Sequence, residues 1–201
     1  MRAFSKRSAD SKSCIGFGII PAVVSKNWNT NGRKPSAANL KILVGEFCGC
    51  CLEILRRNLL LNPELNERIQ VIERAAWDES NVTIAVQGEG PGSHVSVGQT
   101  SASDASALTL AIDDLVTQWN LQRLDLIKMD IEGAELPALR GATRTIELFK
   151  PKMAISVYHR LTDFFEIPEF LDLLSVGYRF FLRHNSIHSE ETVLFAEAGP
   201  R

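Results

Sequence analysis

Three acidic side chains follow a short apolar run in the middle of the chain. Residues 124–129 (LDLIKM) are mostly apolar, and Asp130, Glu132 and Glu135 follow within six positions, with Gly133 between them. This pattern predicts a buried strand that ends in carboxylates, turns at glycine and continues into a helix. Open α/β sheets bind their ligands at the carboxyl ends of the strands. We therefore expect Asp130 and Glu132 at the edge of a reaction centre.

Two further predicted strands end in polar side chains that could meet at the same edge. Residues 40–44 lead to Glu46, and residues 153–157 lead to Tyr158 and His159. A carboxylate after the second strand of a nucleotide-binding unit suits a ribose diol, because it accepts hydrogen bonds from both hydroxyls. Such a site fits a nicotinamide cofactor and S-adenosylmethionine equally well.

The elements that position these side chains follow an alternating pattern. Leucines at helical spacing over 52–60 lie between apolar runs at 40–44 and 69–72, which predicts a strand–helix–strand crossover with parallel strands. Apolar runs at 178–182 and 192–196 predict an antiparallel pair at the end of the chain. By fold analogy, a sheet with that ending is a methyltransferase arrangement rather than a dehydrogenase one. Residues 13–24 predict a strand that either runs into a glycine turn or is broken. Further predicted elements are strands at 82–86 and 95–97, a loop at 100–106, and helices at 111–119, 135–149 and 168–174.

His159 is the candidate general base for such a reaction. Methyl transfer to a hydroxyl depends mainly on holding oxygen, methyl and sulfur in line, and a histidine near neutral pH could remove the hydroxyl proton. The alternative is a surface histidine paired with a loop acid such as Asp163. For Asp130, the alternatives to a substrate or cofactor contact are pairing with Lys128 and capping of the following helix. A divalent metal held by Asp130 and Glu132 is an alternative, although no ligand spacing requires one.

Composition and charge exclude several classes of protein. The chain is 45% hydrophobic and 23% charged, which is ordinary for a globular protein. A net charge of -2 disfavours a nucleic-acid binder with a broad basic face, and no apolar run reaches the ~20 residues that cross a bilayer. The four cysteines lack the spacing of a zinc site and predict reduced thiols. We therefore expect a cytoplasmic protein with neither a nucleic-acid nor a membrane partner; its oligomeric state is not predicted.

The start of the chain differs in charge from the rest. Residues 1–41 hold eight basic residues and one acid, whereas the remainder holds 14 basic and 23 acidic residues. This bias predicts a solvated, partly disordered basic tail, with an organelle transit segment as the alternative.

The central stretch resembles the FkbM family of S-adenosylmethionine-dependent methyltransferases. IKMDIEGAELPALRGA at 127–142 is close to that family's strand-end motif of Lys, Asp, Glu-Gly and Glu. The matches outside this motif are EILRRNLLLNP at 53–63, VIERAAWDES at 71–80, ALTLAIDDLV at 107–116, AISVYHR at 154–160, and the ending GYRFFLRH with ETVLFA. The resemblance implies an α/β fold with a Rossmann-like class I methyltransferase sheet, mostly parallel with an antiparallel C-terminal hairpin. It implies O-methylation of a hydroxyl on a small molecule or sugar, with S-adenosylmethionine as cofactor.

The resemblance also assigns roles to individual residues. Glu46 would hold the ribose hydroxyls, and Ala76, Trp77 and Asp78 would border the adenine, although a tryptophan at such a position also occurs as packing. The catalytic residues are predicted to be Asp130, Glu132 and His159.

The beginning of the chain departs from the family pattern. The family carries an acid and a glycine-rich loop around the methionine portion of the cofactor, and the best candidates here, Gly16 and Gly18, lack the acid and a third glycine. We therefore expect a divergent basic segment at 1–38 and an FkbM-like domain, incomplete at its N-terminal side, at 39–201. The alternative function is a catalytically impaired relative that acts as a binding module.

Overall fold

The computed structural model describes residues 23–26, 40–45, 49–87, 94–97, 105–185 and 191–199. Three predicted cofactor residues, Gly16, Gly18 and Glu46, lie outside these ranges. The strands are β1 (Val23–Lys26), β2 (Leu40–Gly45), β3 (Ile69–Ile72), β4 (Ala75–Ala76), β5 (Thr83–Gln87), β6 (His94–Val97), β7 (Ala105–Leu110), β8 (Leu126–Met129), β9 (Lys152–Ser156), β10 (Tyr178–His184) and β11 (Thr192–Ala198). The helices are α1 (Gly49–Leu61), α2 (Pro63–Asn66), α3 (Ile112–Gln118), α4 (Glu135–Arg140), α5 (Thr143–Phe149) and α6 (Asp163–Leu173).

The main sheet has seven described strands in the order β10-β11-β9-β8-β1-β2-β3. β2 and β3 pair in parallel, as do β8 and β9. The other four neighbouring pairs are antiparallel. The parallel strands of the first crossover and the C-terminal hairpin are therefore confirmed, whereas the prediction of a mostly parallel sheet is wrong for the described strands.

The direction of β1 accounts for two of the antiparallel pairs. β1 pairs antiparallel with both β2 and β8, and Lys26 lies opposite Leu40. The two residues that flank the β1–β2 connection are therefore neighbours, an arrangement that antiparallel strands permit and parallel strands do not. An apolar run indicates that a strand is buried but not which way it runs, so the sequence pattern could not reveal this pairing.

A second sheet of four described strands has the order β4-β7-β5-β6. β5 pairs antiparallel with β6, which confirms the two strands predicted in the middle of the chain. β7 was not predicted as a strand, because its first residues were assigned to a polar loop. It pairs antiparallel with β5 and parallel with β4, so it joins the short β4 to the rest of this sheet.

The core of the described residues lies around β8 and β9. Ile127 and Met129 of β8 and Met153 and Ile155 of β9 are at most 1% exposed. They pack in one cluster with buried side chains from α4, α5 and α6. Full burial of such a side chain contributes about 1.5–3 kcal/mol. The carboxyl ends of β8 and β9 therefore extend from a well-packed core.

The helix predicted over 135–149 is two helices. Leu136, Leu139 and Ile146, which helical spacing places on one face of the predicted helix, are buried. The interruption lies at Gly141, where a Cβ atom would come within 2.1 Å of the Trp77 carbonyl oxygen. Only glycine permits this approach of two backbones. Among the described helices, none is long and apolar enough to cross a membrane.

Candidate functional site

Two neighbouring strands deliver the predicted catalytic residues to one edge of the main sheet. β8 and β9 run parallel, with Met129 opposite Ile155, so their carboxyl ends meet. Asp130 follows β8 directly, and His159 lies three residues beyond the end of β9. Asp130, Glu132 and His159, predicted separately from two stretches of sequence, are brought together.

The turn after β8 has an unusual backbone. Glu132 and Gly133 both have positive φ values, 55° and 86°. The left-handed conformation costs a non-glycine residue about 1–2 kcal/mol, and such strain concentrates at functional sites. The turn is closed from the helix side, because the backbone N–H of Ile131 donates to Glu135 Oε1 at 2.8 Å. The backbone conformation of this turn therefore sets the direction of the Glu132 side chain.

His159 lies inside a ring of carboxylates. Its side chain is 7% exposed, and Nε2 lies 3.3 Å from Glu132 Oε2 and 3.6 Å from Asp130 Oδ1. On the other side of the ring, Nδ1 lies 2.9 Å from Glu135 Oε1. These two atoms are within ion-pair distance, but their geometry is not that of a hydrogen bond. The alternative of a surface histidine paired with Asp163 is therefore wrong; the Asp163 carboxylate accepts the backbone N–H of Arg160 instead.

Asp130 is held by neighbours on both strands. Tyr158 donates its hydroxyl hydrogen to Oδ1 at 2.9 Å, and Lys128 Nζ lies 3.7 Å from Oδ2. The predicted proximity of Lys128 is therefore confirmed. Helix capping by Asp130 is not observed, because the N-cap of α4 is Ala134 and no side chain caps it.

The carboxylates change the proton affinities of the groups among them. Burial by itself lowers the pKa of His159, but the negative charges of Glu135, Glu132 and Asp130 outweigh it, and the pKa is raised above its ordinary value. Burial raises the pKa of Glu132, with further contributions from Asp130 and Glu135 against an opposing one from His159. The pKa of Tyr158 is also raised, by burial and then by Asp130. The cluster therefore favours a positive charge at its centre.

Glu135 is the member of the cluster for which the sequence pattern predicts no role. It is fully buried at the start of α4 and touches both the β8 turn and His159. Asp130, Glu135 and His159 each offer one ligand atom, and these atoms lie within 4.8 Å of one another, close enough to surround one metal ion. The sequence signal for such a role is an acid in the first turn of a helix that directly follows a strand-end acid.

The residues predicted to border adenine lie elsewhere in the described structure. Ala76 belongs to β4, and the Trp77 carbonyl meets Gly141 at the far end of α4 from Glu135. Asp78 is exposed and lines an open cavity of about 440 Å³ together with α3 and the α4–α5 junction. Their cofactor role stays a prediction, as do the roles of Gly16, Gly18 and Glu46.

Comparisons with known proteins identify a family and a similar solved structure. Residues 35–180 match the family model of the methyltransferase FkbM domain. The crystal structure of methyltransferase FkbM from Methylobacillus flagellatus KT is similar, with 28% sequence identity over 78% of this chain and a TM-score of 0.62. The match spans only 36% of that longer chain. A search of curated proteins found no match.

Proposed function

The chain belongs to the FkbM methyltransferase domain family, and from that premise we propose that it methylates a hydroxyl of a small molecule or sugar with S-adenosylmethionine. The alternative is a catalytically impaired relative that binds a ligand without transferring a methyl group.

The observation that carries the proposal is the cluster at the ends of β8 and β9. Ligands of doubly wound sheets bind outside the carboxyl ends of the strands. If β8 and β9 are counted as the fourth and fifth strands, the described order from β3 to β9 reads 3-2-1-4-5, as in such sheets. We therefore propose a Rossmann-like class I sheet in which β1 is reversed relative to its neighbours. In that sheet, Asp130, Glu132 and His159 lie on the acceptor side of the crevice.

The reaction that fits this site is a single displacement. The acceptor oxygen attacks the methyl carbon of the sulfonium, the carbon–sulfur bond breaks as the carbon–oxygen bond forms, and S-adenosylhomocysteine leaves. The hydroxyl hydrogen leaves as a proton. Alignment of the three reacting atoms supplies most of the acceleration, and the residues of the cluster assist the loss of the proton. The remaining predicted residues, Gly16, Gly18, Glu46, Ala76, Trp77 and Asp78, are proposed to bind the cofactor.

The first experiment is isothermal titration of the full chain with S-adenosylmethionine. Saturable heat supports the proposal, whereas no heat at millimolar ligand contradicts it and favours the binding module. Transfer of a labelled methyl group to a panel of sugars and small hydroxylated acceptors then tests the reaction itself.

A matched pair of variants tests the site. Asp130→Asn should abolish transfer while leaving cofactor heat detectable, because Asp130 lies on the acceptor side. Glu197→Gln is the control, since Glu197 pairs with Lys152 at the opposite end of β9. Equal transfer by both variants would exclude the cluster as the reaction site.

A further inference from the structure

One carboxylate oxygen of Glu135 is buried without a counterpart. The side chain is 0% exposed, and Oε1 accepts the Ile131 N–H while facing His159. Among the described residues, Oε2 has no hydrogen-bond partner. Leaving a buried carboxylate oxygen unpaired is costly unless a cation or a donor meets it. The fold therefore keeps an unsatisfied oxygen on a buried carboxyl group that faces the His159 imidazole.

We propose that Asp130, Glu135 and His159 bind one divalent first-row transition-metal ion. One ligand atom from each of these three residues lies within 4.8 Å of the others. Ligand atoms at ~2.1 Å from a common ion lie roughly 3–4 Å apart, so small side-chain movements complete the set. An imidazole together with carboxylates suits manganese, iron or zinc better than magnesium or calcium, which take mainly oxygen ligands.

The charge of the cluster favours the same conclusion. Asp130, Glu132 and Glu135 converge on a single histidine, and the nearby ammonium of Lys128 approaches only Asp130, at 3.7 Å. The Lys128 side chain is 52% exposed, so it is a weak counter-charge for the buried Glu135. A divalent ion among the carboxylates balances them from inside the cluster.

The consequence for catalysis, unlike the binding itself, rests on the proposed function. A bound ion lowers the pKa of an adjacent hydroxyl and so releases its proton near neutral pH. His159 then serves as a ligand that holds the ion and not as the general base.

The test measures binding of Mn²⁺ alone to the full chain after treatment with a chelator. Electron paramagnetic resonance of free Mn²⁺ should show one ion bound per chain. Glu135→Gln, Asp130→Asn and His159→Ala should each weaken binding at least about tenfold. Glu197→Gln and His184→Ala are the controls, because Glu197 pairs with Lys152 and His184 with Thr192 on the C-terminal hairpin.

Two results would overturn the proposal: no saturable Mn²⁺ binding by the wild type, or wild-type affinity in Glu135→Gln. The Glu135→Gln variant is decisive even where His159→Ala fails to fold, because its amide oxygen still accepts the Ile131 N–H. Circular dichroism of each variant checks the fold.

Methyl transfer measured with and without chelator separates this proposal from the proposed function. Ion binding without transfer contradicts only the function, and transfer that persists without ion binding contradicts only the metal site.

Discussion

Two buried carboxylates in the same half of the molecule are held in opposite ways. Asp113, in the first turn of α3, accepts the backbone N–H groups of Arg144 and Thr145 and the Thr145 hydroxyl, at 3.1, 2.8 and 2.6 Å. It thereby caps the N-terminus of α5 from a neighbouring helix. Glu135, in the first turn of α4, accepts one backbone N–H group and faces His159.

The difference indicates that Asp113 has a structural role, whereas Glu135 has a role in the candidate site. The donors around Asp113 are fixed by helix geometry and replace its lost hydration, so this charge stabilises the structure. Glu135 keeps an oxygen unsatisfied by the described residues, so this oxygen stays available to a ligand. Burial alone would not distinguish the two side chains, because both are at most 9% exposed.

Asp113→Ala should have the largest effect on stability. The change removes the cap of α5 and leaves buried donors at Thr145 unpaired, which should lower the free energy of unfolding by about 3 kcal/mol. Urea denaturation measures the loss. The Mn²⁺ affinity of the folded variant should equal that of the wild type; a parallel loss of ion binding would contradict the separation of the two regions.

Glu135→Gln should give the reverse result. Its free energy of unfolding should change by no more than about 1 kcal/mol, because the amide keeps the Ile131 contact and removes a poorly compensated charge. Methyl transfer should fall by roughly 10–100-fold. A loss of stability as large as that of Asp113→Ala, seen in the same denaturation assay, would place Glu135 among the structural acids.

Asp163 is a third buried acid, and its effect on stability should depend on pH. Burial, followed by the negative charge of Glu135, raises its pKa to about 6, against opposing contributions from Arg160 and His159. Since the folded state binds this proton more tightly than the unfolded state, the contribution of Asp163 to stability is lost as pH rises from about 4 to 6.

Asp163→Asn should therefore be more stable than the wild type above pH ~6, by about 1–2 kcal/mol, and equal to it near pH ~4. The asparagine oxygen can still accept the Arg160 N–H. Unfolding free energies of both proteins across this pH range measure the difference. A constant difference at all pH values would show that Asp163 does not titrate in this range.

Tyr158→Phe should have the smallest effect. The variant loses the hydrogen bond from the phenol to Asp130 but keeps the ring, so stability should fall by about 1 kcal/mol. Thermal unfolding measures this change, and Mn²⁺ affinity should fall only a few-fold. A loss as large as that of Asp130→Asn would mean that Tyr158 is itself a ligand.

The sequence predicted the parts of the site that depend on local pattern. An apolar run followed by acids and glycine marked the end of β8, and Tyr158 and His159 marked the end of β9. Because β8 and β9 are parallel neighbours, those ends had to meet. The meeting of Asp130, Glu132 and His159 could therefore be inferred from the sequence pattern.

The features that the sequence did not reveal depend on contacts between distant segments. Asp113 lies in the first turn of α3, where acids are common because of the helix dipole, whereas its carboxylate caps α5. The break at Gly141 follows from the approach of the Trp77 carbonyl, which no helical periodicity encodes. The role of Glu135 likewise depends on His159, which lies on another strand.

The break at Gly141 also limits the length of α4. α4 has six residues, too few to persist as an isolated helix in water. Tertiary packing therefore stabilises α4, including the backbone contact with Trp77 at one end and the Glu135 contacts at the other. Amide protons of α4 and of the segment around Trp77 should then exchange with solvent as one cooperative unit. Two stretches more than fifty residues apart in sequence would then share one opening equilibrium, which would include Glu135 at the start of α4.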